Sequence, residues 1–114
     1  MNDIKLMNKA ADNIRILAAS MVEKAKSGHP GGAMGGADFV NVLFSEFLVY
    51  DPKNPAWEGR DRYFQDPGHM SPMLYSVLAL AGKFTIDELK EFRQWGSVTP
   101  GHPEVNVMRG IAVS

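Results

Sequence analysis

The sequence contains no cysteine, no excess of charge of either sign and no long apolar run. The absence of cysteine excludes disulfides, thiolate chemistry and thiol-rich metal sites, and it fits a reducing compartment. A formal net charge of -1 gives no basis for a nucleic-acid or anionic-membrane partner. No stretch approaches the roughly 18 apolar residues of a membrane span, and the N-terminus lacks a signal-peptide core. We therefore expect a cytoplasmic protein with no nucleic-acid partner and no membrane partner.

The remaining composition is that of a soluble globular protein, with 114 residues for one small domain and 45% hydrophobic residues. From Ile4 to Ala25, apolar residues recur at three- and four-residue steps, which predicts an amphipathic helix. Asp3 is the expected start of this helix and Gly28 its stop. The glycine-dense run over 28–36 is not expected to be an ordinary helix, because each glycine carries an entropic penalty.

Three further helices follow from local signals. A helix over 37–49 is apolar on most sides, so it should be buried on more than one side. Ser71 and the proline after it resemble the N-cap and first position of a helix that ends at Gly82. The last helix opens with a capping box at Thr85 and should end near Gly96.

A short strand is predicted over 63–65, and no second strong strand pattern accompanies it. A lone strand needs a partner for its backbone groups. The pattern therefore indicates an incomplete unit.

The three histidines, His29, His69 and His102, each follow a glycine directly in a turn sequence. Turns carried on a rigid scaffold concentrate binding groups, and imidazole transfers protons and binds oxyanions near neutral pH. Three interpretations stay open from the residues alone. They are unconnected surface histidines, a metal site, or an oxygen-rich ligand held by imidazoles on converging loops. The 28–36 run likewise allows either a phosphate loop, although it matches no standard nucleotide motif, or a tight turn between packed helices.

Four segments together resemble the transketolase family. They are KAKSGHPGG at 24–32, DPKNPAW with RDRYF at 51–64, GHMSPMLY at 68–75, and ELKEFRQ with TPGHPE at 88–104. They occur in the family's order and spacing over roughly residues 8–111. The resemblance implies the α/β class, as a helix-rich opening segment of a thiamine-diphosphate-binding fold with about four helices and one short strand. The whole chain, 1–114, would be an incomplete N-terminal part of the pyrophosphate-binding domain.

The resemblance also implies roles for the three histidines. His29 corresponds to a catalytic, substrate-contacting histidine that takes part in proton transfer. His69 corresponds to a histidine that binds the diphosphate side of the cofactor. His102 corresponds to one that contacts the donor sugar's hydroxyls and lies near the cofactor, so the resemblance assigns it to both substrate binding and cofactor binding. No metal ligand is assigned within this chain.

The activity implied by the resemblance is transfer of a two-carbon ketol unit between sugar phosphates, in the pentose phosphate pathway. The cofactors would be thiamine diphosphate with Mg2+ or Ca2+. The family's metal-binding motif and pyrimidine-binding domain lie beyond residue 111, so we expect this chain alone to be inactive and to bind no cofactor tightly. Its apolar helix faces predict a homo-oligomer. Two alternatives are a helical protein-interaction module derived from a transketolase and one part of a split transketolase.

Overall fold

The computed structural model describes residues 3–111, and within them it contains five α-helices and no β-strand. The helices are α1 (Ile4–Ala25), α2 (Pro30–Gly35), α3 (Ala37–Val42), α4 (Ser71–Leu80) and α5 (Ile86–Leu89). A π-helical turn, Leu43–Phe47, follows α3, and 3₁₀ turns cover Gly68–Met70 and Val107–Arg109. None of the helices in this part of the chain is long and apolar enough to cross a membrane. The helix-rich class predicted from the sequence is confirmed.

Helix α1 forms over the predicted residues. The Asp3 carboxylate accepts a hydrogen bond of 2.7 Å from the Lys5 backbone N–H, which caps the first turn. The C-terminal end of α1 differs from the prediction. Lys26 rather than Gly28 adopts the left-handed conformation that ends the helix, with φ of 53°. Gly28, with φ of 120°, instead turns the chain into His29.

The core is built around α4, which is buried over its first eight residues and packs against α1. Tyr75, at its centre, is fully buried. Its ring makes edge-to-face contacts with Phe84 at 5.4 Å and Phe92 at 6.3 Å between centroids. These aromatic pairs join the segments on either side of α5 to the middle of the core.

The expectation that the glycine run forms no ordinary helix is wrong, because α2 occupies it. Pro30 is the first helical residue, where the missing N–H costs nothing. A Cβ added at Gly32 would lie 2.9 Å from Met70 Cγ, and one added at Gly36 would lie 2.6 Å from Met73 Sδ. The glycines therefore let α2 and its C-cap residue approach Met70 just before α4 and Met73 within it, and this packing outweighs their low helix propensity.

The helix predicted over 37–49 is shorter and less buried than expected. It is α-helical only in α3 and closes with the π-helical turn. Val40 and Phe44 are buried, whereas Phe39 and Phe47 are 65% and 68% exposed. The prediction of burial on more than one side is therefore wrong, because residues 3–111 cover one face of this segment and leave another face exposed.

Three other local predictions are corrected. Residues 63–65 form no strand, because no neighbouring strand within 3–111 offers a ladder of backbone partners. Ser71 is the first residue of α4 rather than its N-cap, which is Met70. Helix α5 keeps its capping box at Thr85 but ends at Leu89, seven residues before Gly96. Beyond it, Arg93 adopts a left-handed conformation with φ of 62°, and its N–H donates to the Thr99 carbonyl at 3.0 Å, so a bond to a residue six positions ahead replaces the continuing helix.

Acid should destabilise the chain through one ion pair that ties the C-terminal turn to α5. Arg109 Nη1 and Nη2 lie 2.8 and 2.7 Å from the two carboxylate oxygens of Glu88. Hydrogen bonding from Arg109, with help from the Thr85 backbone N–H, lowers the pKa of Glu88 below its ordinary value of 4.5. A group whose pKa is lowered by folding contributes stability above its unfolded pKa, and this is lost as the pH falls through the folded pKa.

We therefore expect Arg109→Met to lose stability less steeply than the parent chain below about pH 4.5, in urea unfolding at a series of pH values. Lys90→Met is the matched control, because its pair with Asp87 is exposed and long at 3.7 Å. The control should follow the parent curve. Equal acid dependence of Arg109→Met and the parent chain would contradict the assignment.

Candidate functional site

His29 and His69 meet directly, although 40 residues separate them in the sequence. His29 is the N-cap of α2, and its side chain makes no capping hydrogen bond. His69 lies in the 3₁₀ turn that leads into α4. The two rings contact edge to face, with centroids 4.8 Å apart. His29 is exposed and His69 half-buried, so the pair opens to solvent.

His102 approaches the same place from a third segment. A Cβ added at Gly68 would lie 2.9 Å from the His102 Nδ1 atom, so the imidazole covers the backbone of the residue before His69. Only glycine leaves room for this approach. The structure thus brings all three predicted histidine turns together, and the interpretation of unconnected surface histidines is wrong.

Two hydrogen bonds connect the turn that carries His102 to the buried core. Ser71 Oγ donates to the Gly101 carbonyl at 2.6 Å, and the Tyr75 hydroxyl donates to the Pro100 carbonyl at 2.5 Å. Both donors lie on α4, the helix that begins just after His69. Burial, with the negative charge of Glu104 nearby, raises the pKa of Tyr75, so its hydroxyl stays protonated and donates at any physiological pH.

Tyr75→Phe should loosen this turn without removing the ring from the core. The variant loses the hydroxyl donor and leaves the Pro100 carbonyl without this partner, which is expected to cost about 1–3 kcal/mol. Urea denaturation measures the loss, and amide hydrogen exchange over 99–103 should accelerate. Tyr50→Phe is the matched control, because within residues 3–111 the half-buried Tyr50 hydroxyl makes no hydrogen bond. A control that loses as much stability as Tyr75→Phe would contradict this role.

A cavity of about 300 Å³ lies beside His102. Its lining includes Gln65, Asp66 and Gly68 from the segment before His69, together with Leu74 of α4. Sequence reasoning assigned no function to Gln65 or to Asp66. The only local signal was a polar pair directly after Tyr63-Phe64, and such a pair is common in loops.

The side chains at the three histidine turns suit some classes of ligand better than others. Among residues 3–111, no group of three histidine, aspartate or glutamate side chains could hold a metal ion, so the metal interpretation gains no support. Converging imidazoles can donate hydrogen bonds to phosphate oxygens and exchange protons with a reacting hydroxyl. A Cβ added at Gly31 would meet no atom within 4 Å, so the backbone near His29 is accessible to a bulky group. The arrangement therefore fits a phosphorylated, hydroxylated ligand.

Comparisons with known proteins agree on one family. Residues 6–114 match the family described as "Transketolase, thiamine diphosphate binding domain". A transketolase of Buchnera aphidicola is 50% identical over 110 residues, which are 96% of this chain and 16% of the relative. Transketolase 1 of Escherichia coli is 50% identical over 102 residues, which are 89% of this chain and 15% of the relative. The crystal structure of transketolase from Campylobacter jejuni superposes with a TM-score of 0.87 at 46% identity, covering 96% of this chain and 17% of that one. The chain thus spans about a sixth of the length of these relatives.

Proposed function

Because the chain belongs to the transketolase family, we propose that residues 1–114 form the N-terminal part of the pyrophosphate-binding domain of a transketolase. The whole enzyme would transfer a two-carbon ketol unit from a ketose phosphate to an aldose phosphate. A Pichia stipitis transketolase, 42% identical to this chain, has been solved in complex with sedoheptulose-7-phosphate, which supports sugar phosphates as the substrates. The convergence of three histidine turns carries the proposal, because an enzyme of this kind needs several groups around one ligand.

Each of the three histidines would have a different role. His69 would donate to a phosphate oxygen of thiamine diphosphate, and the adjacent His29 would exchange protons with the substrate's hydroxyl or carbonyl oxygen. His102 would bind the sugar hydroxyls from the opposite turn. Bound thiamine diphosphate supplies the carbanion chemistry, whereas the protein orients the substrate and moves protons. Mg2+ or Ca2+ would be held by residues outside this segment, since none of the side chains at 3–111 form a metal site.

A chimeric enzyme tests this function. Residues 1–111 would replace the matching segment of the Escherichia coli enzyme, which is 50% identical over 102 residues. We expect the chimera to transfer ketol units at a rate within about tenfold of the parent, because a segment this similar should repack. A folded chimera that binds thiamine diphosphate yet shows no turnover would overturn the proposal.

The isolated chain should be inactive. Diphosphate binding in such an enzyme depends on a metal bridge, and residues 3–111 offer no ligand set for it. We expect isothermal titration with thiamine diphosphate and Mg2+ to give no saturable micromolar binding. The chimera, titrated in parallel, is the positive control. Micromolar binding by the isolated chain would show that this segment holds the cofactor by itself.

We also propose that the chain self-associates, because it leaves large apolar side chains open. Phe39, Phe47 and Phe64 are each 65–68% exposed, and Phe39 and Phe64 line one shallow hollow with Met70 and Met73. Exposed apolar patches of this kind mark association surfaces. Light scattering should show a species larger than the 12.6 kDa chain, and Phe39→Glu should dissociate it.

We further propose that the protein is located in the cytoplasm, which the absence of cysteine supports.

A further inference from the structure

The Arg93 side chain connects two of the three histidine turns through the glycines that precede the histidines. A Cβ added at Gly101 would lie 3.3 Å from both Cζ and Nη1 of Arg93, so the guanidinium packs over the residue before His102. A Cβ added at Gly28 would lie 3.6 Å from Arg93 Cδ, so the methylene stem packs beside the residue before His29. The two turns therefore contact different parts of one side chain.

The backbone of Arg93 is fixed to the His102 turn as well. Its N–H donates a hydrogen bond of 3.0 Å to the carbonyl of Thr99, which is fully buried. The preceding residue, Phe92, is also buried and packs against Gly28. The Arg93 side chain thus starts from a backbone position that the core holds in place.

The backbone conformation of Arg93 is one that glycine would adopt more readily. Its φ is 62°, in the left-handed region that is unfavourable for a residue with a Cβ. The hydrogen bond to Thr99 uses only the backbone, so it would form equally with glycine at position 93. What the arginine adds is therefore its side-chain contacts with Gly28 and Gly101. Residues held in strained conformations are concentrated at functional sites.

The third histidine turn is joined to the same set of contacts by His102, because the His102 imidazole covers Gly68, the residue before His69. A shift of the His102 turn would therefore change the distances among all three imidazoles. Reactions that depend on oriented groups are sensitive to such shifts, and a displacement of about 1 Å can cost on the order of 100-fold in rate.

We propose that Arg93 is a positioning residue of the histidine site, which sets the distance between the His29 turn and the His102 turn. It acts through Gly28 and Gly101 rather than on the ligand. The proposal rests on the proposed function, because this distance matters for activity only where the histidines share one ligand.

Arg93→Gly tests the proposal, because it removes the side chain and suits the backbone conformation. In the 114-residue chain labelled with nitrogen-15, the backbone amide signals of Gly28 and Gly101 should both shift, and the imidazole signals of His29 and His102 should shift with them. The melting temperature should stay within about 5 °C of the parent chain, because relief of the strained φ offsets the lost contacts.

Kinetics of the chimeric enzyme measure the consequence for activity. Arg93→Gly should lower kcat/KM for the ketose phosphate by about 10- to 100-fold. Arg93→Lys keeps a methylene stem beside Gly28 but lacks the flat guanidinium over Gly101. It should therefore shift the Gly101 amide signal and leave that of Gly28 in place, and its kcat/KM should lie between those of the glycine variant and the parent chimera.

Lys26→Gly is the matched control, because Lys26 is the other non-glycine residue within 3–111 that has a positive φ. Its side chain pairs with the exposed Glu23. The control should relieve a similar strain and keep the kcat/KM of the parent chimera.

Three results would overturn the proposal. One is an unchanged kcat/KM of Arg93→Gly in an active chimera. Another is a glycine variant that loses melting temperature together with activity while Arg93→Lys recovers neither, which would indicate a role in stability alone. The third is unshifted amide signals of Gly28 and Gly101 in the isolated chain. An inactive parent chimera would instead contradict the proposed function, and the amide signals would still test the contacts of Arg93.

Discussion

Phe92→Ala is expected to lower the free energy of unfolding of this chain by about 3–5 kcal/mol. Phe92 is 1% exposed, and its ring contacts the buried Tyr75. Truncation removes this contact and leaves a cavity that the rigid neighbours fill only in part. Small domains have only about 5–15 kcal/mol of total stability, so the loss is a large fraction of it. Urea denaturation followed by circular dichroism measures the change.

The effect should extend to the functional site, because Phe92 also supports the first histidine turn. A Cβ added at Gly28 would lie 3.2 Å from the Phe92 ring, so this ring packs closely against Gly28, the residue before His29. Nuclear magnetic resonance signals of His29 should therefore shift in whatever folded population remains. Trp95→Ala is the control at another large aromatic residue, because Trp95 is fully exposed and lies outside the proposed association surface, so its loss should change stability by about 0.5 kcal/mol or less. Equal losses in the two variants would show that Phe92 does not organise the core.

His29→Ala is expected to lower kcat of the chimeric enzyme by about 10²–10⁴-fold, the usual contribution of one positioned proton-transferring group. His29 is exposed, and its side chain makes no capping hydrogen bond that would occupy a ring nitrogen. His69→Ala is expected instead to raise the thiamine diphosphate concentration needed for half-maximal activity. Steady-state kinetics at varied cofactor concentration separates the two effects.

The two histidine variants should not behave independently. Their rings are in contact at 4.8 Å, so the double variant should lose less activity than the product of the single losses. Lys26→Ala is a suitable control near the same turn, because the Lys26 ion pair with Glu23 is largely exposed. That variant should keep the activity of the chimera. A His29→Ala chimera with unchanged kcat would remove His29 from proton transfer.

Much of this protein could be predicted from its sequence wherever the signal is local. The stripe of α1 and its Asp3 cap, and the capping box at Thr85, depend on residues within four positions of one another, and the structure forms all of them. Four ordered motifs likewise sufficed to indicate the family that the comparisons show. Predictions failed where a side chain has its partner far away in the sequence. Ser71 looked like an N-cap, but its hydroxyl bonds the carbonyl of Gly101, thirty residues further on.

The helix-rich class, the family and the three glycine–histidine turns could thus be predicted from the sequence, because periodicity, caps and motifs depend on neighbouring residues. The convergence of the turns, the helix over 30–35 in the glycine run and the end of α5 at Leu89 could be seen only in the folded chain. The tertiary structure also placed Gln65 and Asp66 at the cavity beside His102. The convergence and the helical glycine run depend on contacts between residues far apart in the chain, whose packing overrides local propensity.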